Sequence, residues 1–397
     1  MVLKNWKRID FVLIGTCILL SIVSCIAVYA ATYGKVSPLI PTHAWVKQMV
    51  YGIIGFVAML FFAFQFDYRS LRKLHWWLYG GTTFLLVAVF AFHPINGARS
   101  WIPLPGFTVQ PSEFAKLTLI FTLAALMAKV DEAEYPDYRI RKTLPLWILT
   151  IVPFALTLKE PALGQAIVMF AIFFTMYVLF LRRAWFISSV VIFVAFCVVF
   201  IALPVEFPAT ALNFLQNVVI KHHLLHGYQA DRILTWLNPS YQISGAGYEI
   251  HQAQIAIGSG QVFGEGWLRG VETSTGGVPN QWTDYIFTAP AEEFGFLGSS
   301  IIILLFLVLV YRLVRAASLS GDTFGAYIII GIVALFSFQV FENIGMDMYL
   351  SPSTGITLPF ISYGGSSVLA NYIAVGLAIN VTLQSRKLRL AQSYSSS

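Results

Sequence analysis

Unbroken apolar runs of about 20 residues recur along most of this chain, and they limit the folds it can adopt. The first run extends from Phe11 to about Ala31 without a charged residue. A run of this length spans a bilayer, in which only helices and closed barrels satisfy every backbone polar group. The runs are continuous and do not alternate with a period of two, so the spans are predicted to be helices. Only 11% of the residues are charged, against about 25% in an ordinary soluble domain.

Ten apolar segments predict an all-α integral membrane protein, with one polytopic domain covering residues 1–397. The predicted spans are 11–31, 46–66, 76–93, 113–128, 144–158, 165–181, 185–203, 296–316, 324–345 and 357–383. With this arrangement, 17 of the 25 Lys and Arg residues fall on the side that holds both termini. Cytoplasmic loops are enriched in basic residues, so both termini are predicted to be cytoplasmic. The net charge of +6 therefore needs no nucleic acid to explain it.

A long interval between predicted helices 7 and 8, about 204–295, lies on the outer side. Loops beyond about 12–15 residues usually carry function or lack order. Amphipathic pieces at 211–220 and 232–237, followed by a Gly-rich run at 245–277, predict short interfacial helices and turns. The Ser-rich tail, about 390–397, is predicted to be disordered.

Asp284 lies where this interval meets the next apolar segment, followed closely by Glu292 and Glu293. Carboxylates beside hydrocarbon are costly, so their presence raises a functional question. One interpretation makes Asp284 the N-cap of the following helix, accepting backbone N–H bonds. The other makes it a general base at the mouth of a membrane cavity, where desolvation would raise its pKa. The two roles are compatible.

Three further residues near the fourth span are candidates for binding an anionic substrate. Glu113 and Lys116 are three apart and share a helix face, so they form either a structural ion pair or the polar floor of a cavity. Arg99, in the preceding loop, is either an interfacial side chain or a ligand for a phosphate or diphosphate headgroup.

Two other patterns carry weaker signals. The histidines at 222, 223 and 226 have near-helical spacing but no convincing third-ligand pattern, so polar residues on an interfacial helix are the preferred interpretation. The Gly-Gly-Ser-Ser run at 364–367, which includes Ser366, precedes a helix and offers either amides for an anion or close helix packing. No nucleotide-binding motif is present, which favours a substrate that arrives already activated on a lipid carrier.

Several segments together resemble the SEDS family of polytopic cell-wall proteins, whose members include RodA, FtsW and SpoVE. The matching pieces are Asn96-Gly-Ala-Arg-Ser-Trp, Gln110-Pro-Ser-Glu-Phe-Ala-Lys, Gln254-Ile-Ala-Ile-Gly-Ser-Gly, Thr283-Asp-Tyr-Ile-Phe, Glu292-Glu-Phe-Gly-Phe-Leu-Gly, Asn343-Ile-Gly-Met and Leu358-Pro-Phe-Ile-Ser-Tyr-Gly-Gly-Ser-Ser. They occur in the family's order, each at its expected place among ten helices.

The resemblance implies a peptidoglycan glycosyltransferase that polymerises lipid II outside the cytoplasmic membrane. Lipid II is a disaccharide-pentapeptide carried on undecaprenyl diphosphate. The family's essential aspartate falls on Asp284, which would act as the base for the acceptor hydroxyl. Arg99, Lys116 or a divalent cation, Mg or Mn, not assignable to particular residues, would stabilise the departing diphosphate. Glu113 and Ser366 complete the expected substrate site. The expected partner is a class B penicillin-binding protein within the elongation or division machinery.

The chain departs locally from the family pattern, for example at Pro290. This proline is expected to bend the start of its helix, with Glu292 and Glu293 as supports. The RodA-like role in cell elongation is preferred, with FtsW-like division or SpoVE-like sporulation as alternatives. A lipid II flippase and a non-catalytic scaffold for the penicillin-binding protein are the other hypotheses. A base on one face only argues against the flippase.

Overall fold

The computed structural model describes residues 9–35, 40, 43–93, 99–104, 107–133, 143–181, 227–237, 245 and 247–395. Twelve α-helices occur within these residues: α1 Phe11–Thr32, α2 Ala44–Phe64, α3 Leu71–Ala88, α4 Pro111–Asp131, α5 Thr143–Lys159, α6 Leu163–Phe180, α7 Gly227–Leu237, α8 Tyr248–Ser259, α9 Val271–Thr275, α10 Thr288–Ser318, α11 Thr323–Asp347 and α12 Gly365–Ser395. Short 3-10 turns at Tyr68–Ser70 and Val89–Ala91 flank α3.

The long helices follow the predicted spans. Within the described residues, α1, α2, α3, α6, α10, α11 and α12 are long and apolar enough to cross a membrane. The helix α5 is apolar but shorter, at 17 residues, and α4 carries Glu113, Lys116, Lys129 and Asp131 within its length. The span predicted at 185–203 lies outside the described residues. The prediction of an all-α membrane protein is confirmed, with one small hairpin added.

Polar contacts join the helices at the end of the bundle that was predicted to be cytoplasmic. Arg312 at the end of α10 contacts the Asp10 carboxylate at 2.6 Å, and Asp10 also accepts the Leu13 amide to cap α1. Asn380 in α12 donates to the carbonyls of Ala63 and Phe66 at 3.0 and 2.7 Å, so it satisfies the otherwise unpaired end of α2. These contacts fix α12, whose spanning part is almost wholly buried, at the centre of the bundle.

A two-stranded antiparallel hairpin precedes α4, with strands Ile102–Leu104 (β1) and Phe107–Val109 (β2). From the sequence, this stretch was predicted to be a loop. Its strands are three residues long, which is too short for alternation of apolar and polar residues to be recognised.

The outer interval contains short helices, as predicted. Residues 232–237 belong to α7, and the Gly-rich run contains α8 and α9. The segment 211–220 lies outside the described residues.

The helix α10 is broken at Gly295, where the backbone has φ 63° and ψ −156°. The carbonyls of Glu292 and Glu293 accept the amides of Glu265 and Gly266, so residues of the outer loop replace part of the helix's own hydrogen bonding. The bend was predicted near Pro290, and that placement is wrong. Pro290 lies in the first turn of α10, where a helix does not need the missing N–H.

Two boundaries of the last helix also differ from prediction. It begins at Gly365 and not near 357, because Pro359 and Gly364 interrupt the intervening segment. It continues to Ser395, past the predicted start of a disordered tail near 390. The stretch 384–395 contains neither Gly nor Pro, so nothing in it terminates a helix.

Candidate functional site

A polar cavity of about 260 Å³ opens at the end of the bundle opposite the Asp10–Arg312 contact. Five segments line it: the hairpin and its approach, the α5–α6 connection, α7, the turn before α10, and the chain from the end of α11 into α12. Most of these lining residues belong to connections predicted to lie on the outer side, whereas residues 165, 357 and 363–367 fall within predicted spans. Among the described residues that line the cavity, Asp284 is the only acidic one and Arg232 the only basic one.

The turn that carries Asp284 is held at three consecutive peptide carbonyls. Tyr363 donates its amide to Trp282 O at 2.9 Å, and Ser362 Oγ donates to Thr283 O at 2.6 Å. Asn343 Nδ2 donates to Asp284 O at 2.6 Å and also to Ile356 O at 2.7 Å. Backbone carbonyls bonded in this way leave the turn little freedom, so the Asp284 carboxylate is presented to the cavity in one position.

Asp284 has a pKa raised to about 6, chiefly because burial penalises its charged form. The Arg232 guanidinium opposes this rise, the Glu249 carboxylate adds to it, and a hydrogen bond from Thr283 lowers it again. A carboxylate with a pKa near 6 is largely ionised at neutral pH and is a stronger base than an ordinary surface aspartate.

The N-cap interpretation of Asp284 is wrong. The helix α10 begins at Thr288 with no side-chain cap hydrogen bond. Asp284 lies within a series of turns, residues 281–287, that leads into this helix. The Asp284 amide bonds back to Asn280 O at 3.2 Å. A small polar pair before an apolar run is compatible with a helix cap and also with a turn a few residues before the helix, so the sequence pattern does not distinguish the two.

Arg232 approaches Asp284 across Gly355. A Cβ placed on Gly355 would lie 2.9 Å from Arg232 Nη1 and 3.2 Å from Asp284 Oδ2, and the glycine has φ +70°. The guanidinium and the carboxylate therefore face one small space that only a glycine leaves open. Arg232 also donates to Ser353 O at 3.1 Å and lies 3.9 Å from Glu249 Oε2.

Glu113 and Lys116 form a buried ion pair behind the cavity wall, with Nζ 2.9 Å from Oε2. Each side chain is 1% exposed, and neither lines the cavity. Gln165 does line it and donates to Glu113 Oε1 at 2.8 Å, so it connects the pair to the cavity. The ion-pair interpretation of these two residues is the one with a direct contact in the structure.

The other two predicted site residues differ in position. Arg99 is exposed and does not line the cavity. Ser366 does line it, but its hydroxyl donates to Thr108 O at 3.0 Å and accepts the Gln110 amide at 3.2 Å. It thereby fastens the hairpin to the start of α12. The histidines at 222, 223 and 226 lie outside the described residues.

Glu292 and Glu293 were predicted to support a bend near Pro290, but Glu292 instead holds a neighbouring short helix. Its carboxylate accepts the amides of Glu272 and Thr273 at 2.7 and 2.8 Å, at the N-terminus of α9. Glu293 is buried next to it.

Beside the cavity, burial raises the pKa of Glu160 to about 8. Its backbone carbonyl accepts the hydroxyl of Ser100, a lining residue, at 3.1 Å.

The described part of the chain offers no cluster of three or more His, Cys, Asp and Glu residues arranged to hold a metal ion. In the cavity, Asp284 stands beside a guanidinium, which is a poor companion for a cation. The described residues that line the cavity therefore do not make a resident metal site, and the expected divalent cation remains a prediction.

Arg232 and Glu249 were not predicted as site residues from the sequence. Arg232 lies at the start of the amphipathic piece predicted at 232–237. Its signal was weak because a single Arg on an amphipathic segment is typical of any interfacial helix, and its approach to Asp284 depends on contacts between residues 52 positions apart in the sequence.

Comparisons with known proteins agree with this architecture. Residues 10–387 match the family model for the cell cycle proteins FtsW, RodA and SpoVE. The probable peptidoglycan glycosyltransferase FtsW of Geobacter metallireducens is 32% identical over 385 residues, 96% of each chain. Stage V sporulation protein E of Bacillus subtilis is 33% identical over 343 residues, 86% of this chain and 87% of its own. The peptidoglycan glycosyltransferase RodA of Treponema pallidum is 29% identical over 432 residues, 96% of this chain and 98% of its own.

Solved structures show the same fold. One solved structure concerns the structural coordination of polymerization and crosslinking by a peptidoglycan synthase complex. A chain of that structure is 26% identical to this one, with a TM-score of 0.74. The match covers 96% of this chain and 99% of that chain. The rod shape determining protein RodA of Thermus thermophilus matches in fold with a TM-score of 0.62. The predicted SEDS resemblance is thereby confirmed: this chain is a multi-pass membrane protein that belongs to the FtsW/RodA/SpoVE family.

Proposed function

We propose that this chain is a peptidoglycan glycosyltransferase that polymerises lipid II at the outer face of the cytoplasmic membrane. The observation that carries the proposal is Asp284, a desolvated carboxylate held rigidly at the wall of a cavity that joins an acidic and a basic side chain. The names of the relatives, which include peptidoglycan glycosyltransferases of both the FtsW and RodA kinds, support the reaction class.

In the proposed reaction, the 4-hydroxyl of the acceptor sugar attacks the anomeric carbon of the donor, and the bond to the diphosphate breaks. Asp284 takes the hydroxyl proton as the new glycosidic bond forms. The electron pair of the broken bond leaves with the diphosphate, which remains on its lipid. Holding two lipid-anchored chains in one orientation supplies much of the remaining rate gain.

The direct test is polymerisation of labelled lipid II by the purified full-length protein. We expect Asp284→Ala to lower the rate by about 10²–10⁴-fold, the usual contribution of a positioned general base. The exposed Arg315→Gln variant, near the end of α10 and outside the cavity lining, is the matched control for handling and folding. Polymer at the wild-type rate from Asp284→Ala would overturn the assignment of the base.

We propose a crosslinking enzyme, a class B penicillin-binding protein, as the partner. The solved peptidoglycan synthase complex, which couples polymerisation and crosslinking, supports this proposal. Intact partner binding without polymer from the wild-type chain would favour the scaffold hypothesis, and lipid II translocation without polymer would favour the flippase.

The elongation role remains a prediction, since relatives named FtsW, SpoVE and RodA match at 29–33% identity. The phenotype of a deletion decides between the roles. Round cells indicate elongation, filaments indicate division, and failed spores indicate sporulation.

A further inference from the structure

We propose that Arg232 is the residue that binds the diphosphate of the lipid-linked donor, in place of the Arg99 and Lys116 side chains that the sequence favoured. The inference rests on the proposed function, because it names the group that receives the departing negative charge in the same cavity.

The positive charges near the site differ in whether they face the cavity. The reaction leaves a diphosphate near Asp284, so its binding group must face the cavity. Arg99 is exposed and does not line the cavity, and Lys116 is buried against Glu113 with Nζ 2.9 Å from its carboxylate. Among the described lining residues, Arg232 alone is basic, and a guanidinium matches the geometry of phosphate oxygens.

The space beside Arg232 is shared with Asp284. Its Nη1 and Asp284 Oδ2 both border the gap above Gly355, at 2.9 and 3.2 Å from the position of a Cβ there. A donor whose anomeric carbon stands near Asp284 places its diphosphate next in the chain of bonds, within reach of the guanidinium.

The start of α12 forms one wall of the cavity. Gly365, Ser366 and Ser367 begin this helix and line the same cavity. Helix N-termini favour anions through their amides and dipole. The anion would therefore have a guanidinium and a helix N-terminus as neighbours.

Glu249 sets the availability of Arg232. Its Oε2 lies 3.9 Å from Arg232 Nη2 and also receives the Tyr285 hydroxyl at 3.5 Å. Glu249 therefore partly neutralises the positive charge of Arg232 when no substrate is bound, and an anionic ligand must compete with it.

The test measures binding of undecaprenyl diphosphate, with undecaprenyl monophosphate as the comparison lipid, to the full-length protein in detergent. We expect Arg232→Gln to weaken diphosphate binding by roughly 10- to 100-fold, as expected for hydrogen bonds to a charged group. Monophosphate binding should fall less, and Arg232→Lys should retain part of the diphosphate affinity. The Arg99→Gln control should bind as the wild type does.

Glu249→Gln separates ligand binding from a structural role. If Arg232 serves only to hold α7 in place, loss of its ionic neighbour weakens the site. If it binds the diphosphate, Glu249→Gln should tighten binding several-fold because the guanidinium loses its competitor.

Equal diphosphate binding by wild type and Arg232→Gln, or a loss in Arg99→Gln instead, would overturn the proposal. Failure of the wild type to bind the diphosphate lipid would overturn it as well. These results are independent of polymerisation, so a chain that binds through Arg232 yet makes no polymer contradicts the proposed function alone.

Discussion

At the scale of single residues, the site depends on one carboxylate kept in an environment that opposes its charge. Arg232, Glu249 and Asp347 are the charged or titratable side chains whose electrostatic interaction with Asp284 the structure records. Burial outweighs the attraction of Arg232, and the pKa of Asp284 rises from 3.8 to about 6. The same desolvation that makes the aspartate a better base therefore makes the folded protein less stable at neutral pH.

Asp284→Asn should increase the free energy of unfolding at pH 7.5 by about 1–3 kcal/mol, because it removes the buried charge. The folded-state pKa lies above the unfolded one. The penalty is therefore absent below pH 3.8, grows as the pH rises, and is complete above about 6. Chemical unfolding of the purified protein at pH 7.5 and at the lowest pH it tolerates checks this sign. An Asn variant less stable than wild type at pH 7.5 would contradict it.

At the scale of elements, the site is built from the segments that connect the helices, and the helices position these segments. The spans were predictable because each needs only a long apolar run. The turn before α10 was not, since its conformation depends on Asn343, Ser362 and Tyr363, which follow it by at least 59 residues. The break in α10 was expected near Pro290 from local rules, whereas the loop at 260–266 moves it to Gly295.

Gly295→Ala should lower the free energy of unfolding by at least about 2–3 kcal/mol. Its backbone conformation is one that essentially only glycine adopts, and a Cβ there would lie 2.4 Å from Gly264 N. Gly80→Ala is the matched control, because its Cβ would meet nothing within 4 Å and Ala favours a helix by about 0.5–1 kcal/mol. Thermal unfolding in detergent compares the two, and equal midpoints would contradict the role assigned to Gly295.

At the scale of the whole molecule, a buried ion pair in α4 connects the membrane core to the cavity through Gln165. The sequence correctly suggested that Glu113 and Lys116 share a face. It could not show whether Lys116 reaches the cavity, because that depends on how α4 packs against α6. A buried pair contributes little net stability, but removing one partner leaves an uncompensated charge.

Lys116→Met should therefore cost about 3–5 kcal/mol of the free energy of unfolding, and Glu113→Gln combined with Lys116→Met should recover most of it. If the pair is structural, lipid II polymerisation recovers in the double variant together with stability. Both are measured on the same preparations. If the double variant regains stability but polymerises lipid II no faster than Lys116→Met, Lys116 contributes to the substrate site.

The break at Gly295 has a mechanical consequence. Below it, α10 is an ordinary membrane-spanning rod. Above it, the short segment that follows the Asp284 turn is hydrogen-bonded to the outer loop at Glu265 and Gly266, and below it Phe296 and Leu297 are hydrogen-bonded to Gln261 and Val262. The outer loop, where Phe263 is 79% exposed, therefore bridges both sides of the break. A force applied to this loop reaches the segment that leads to Asp284 and the membrane-spanning rod together, so the loop holds the two parts of the helix in one orientation.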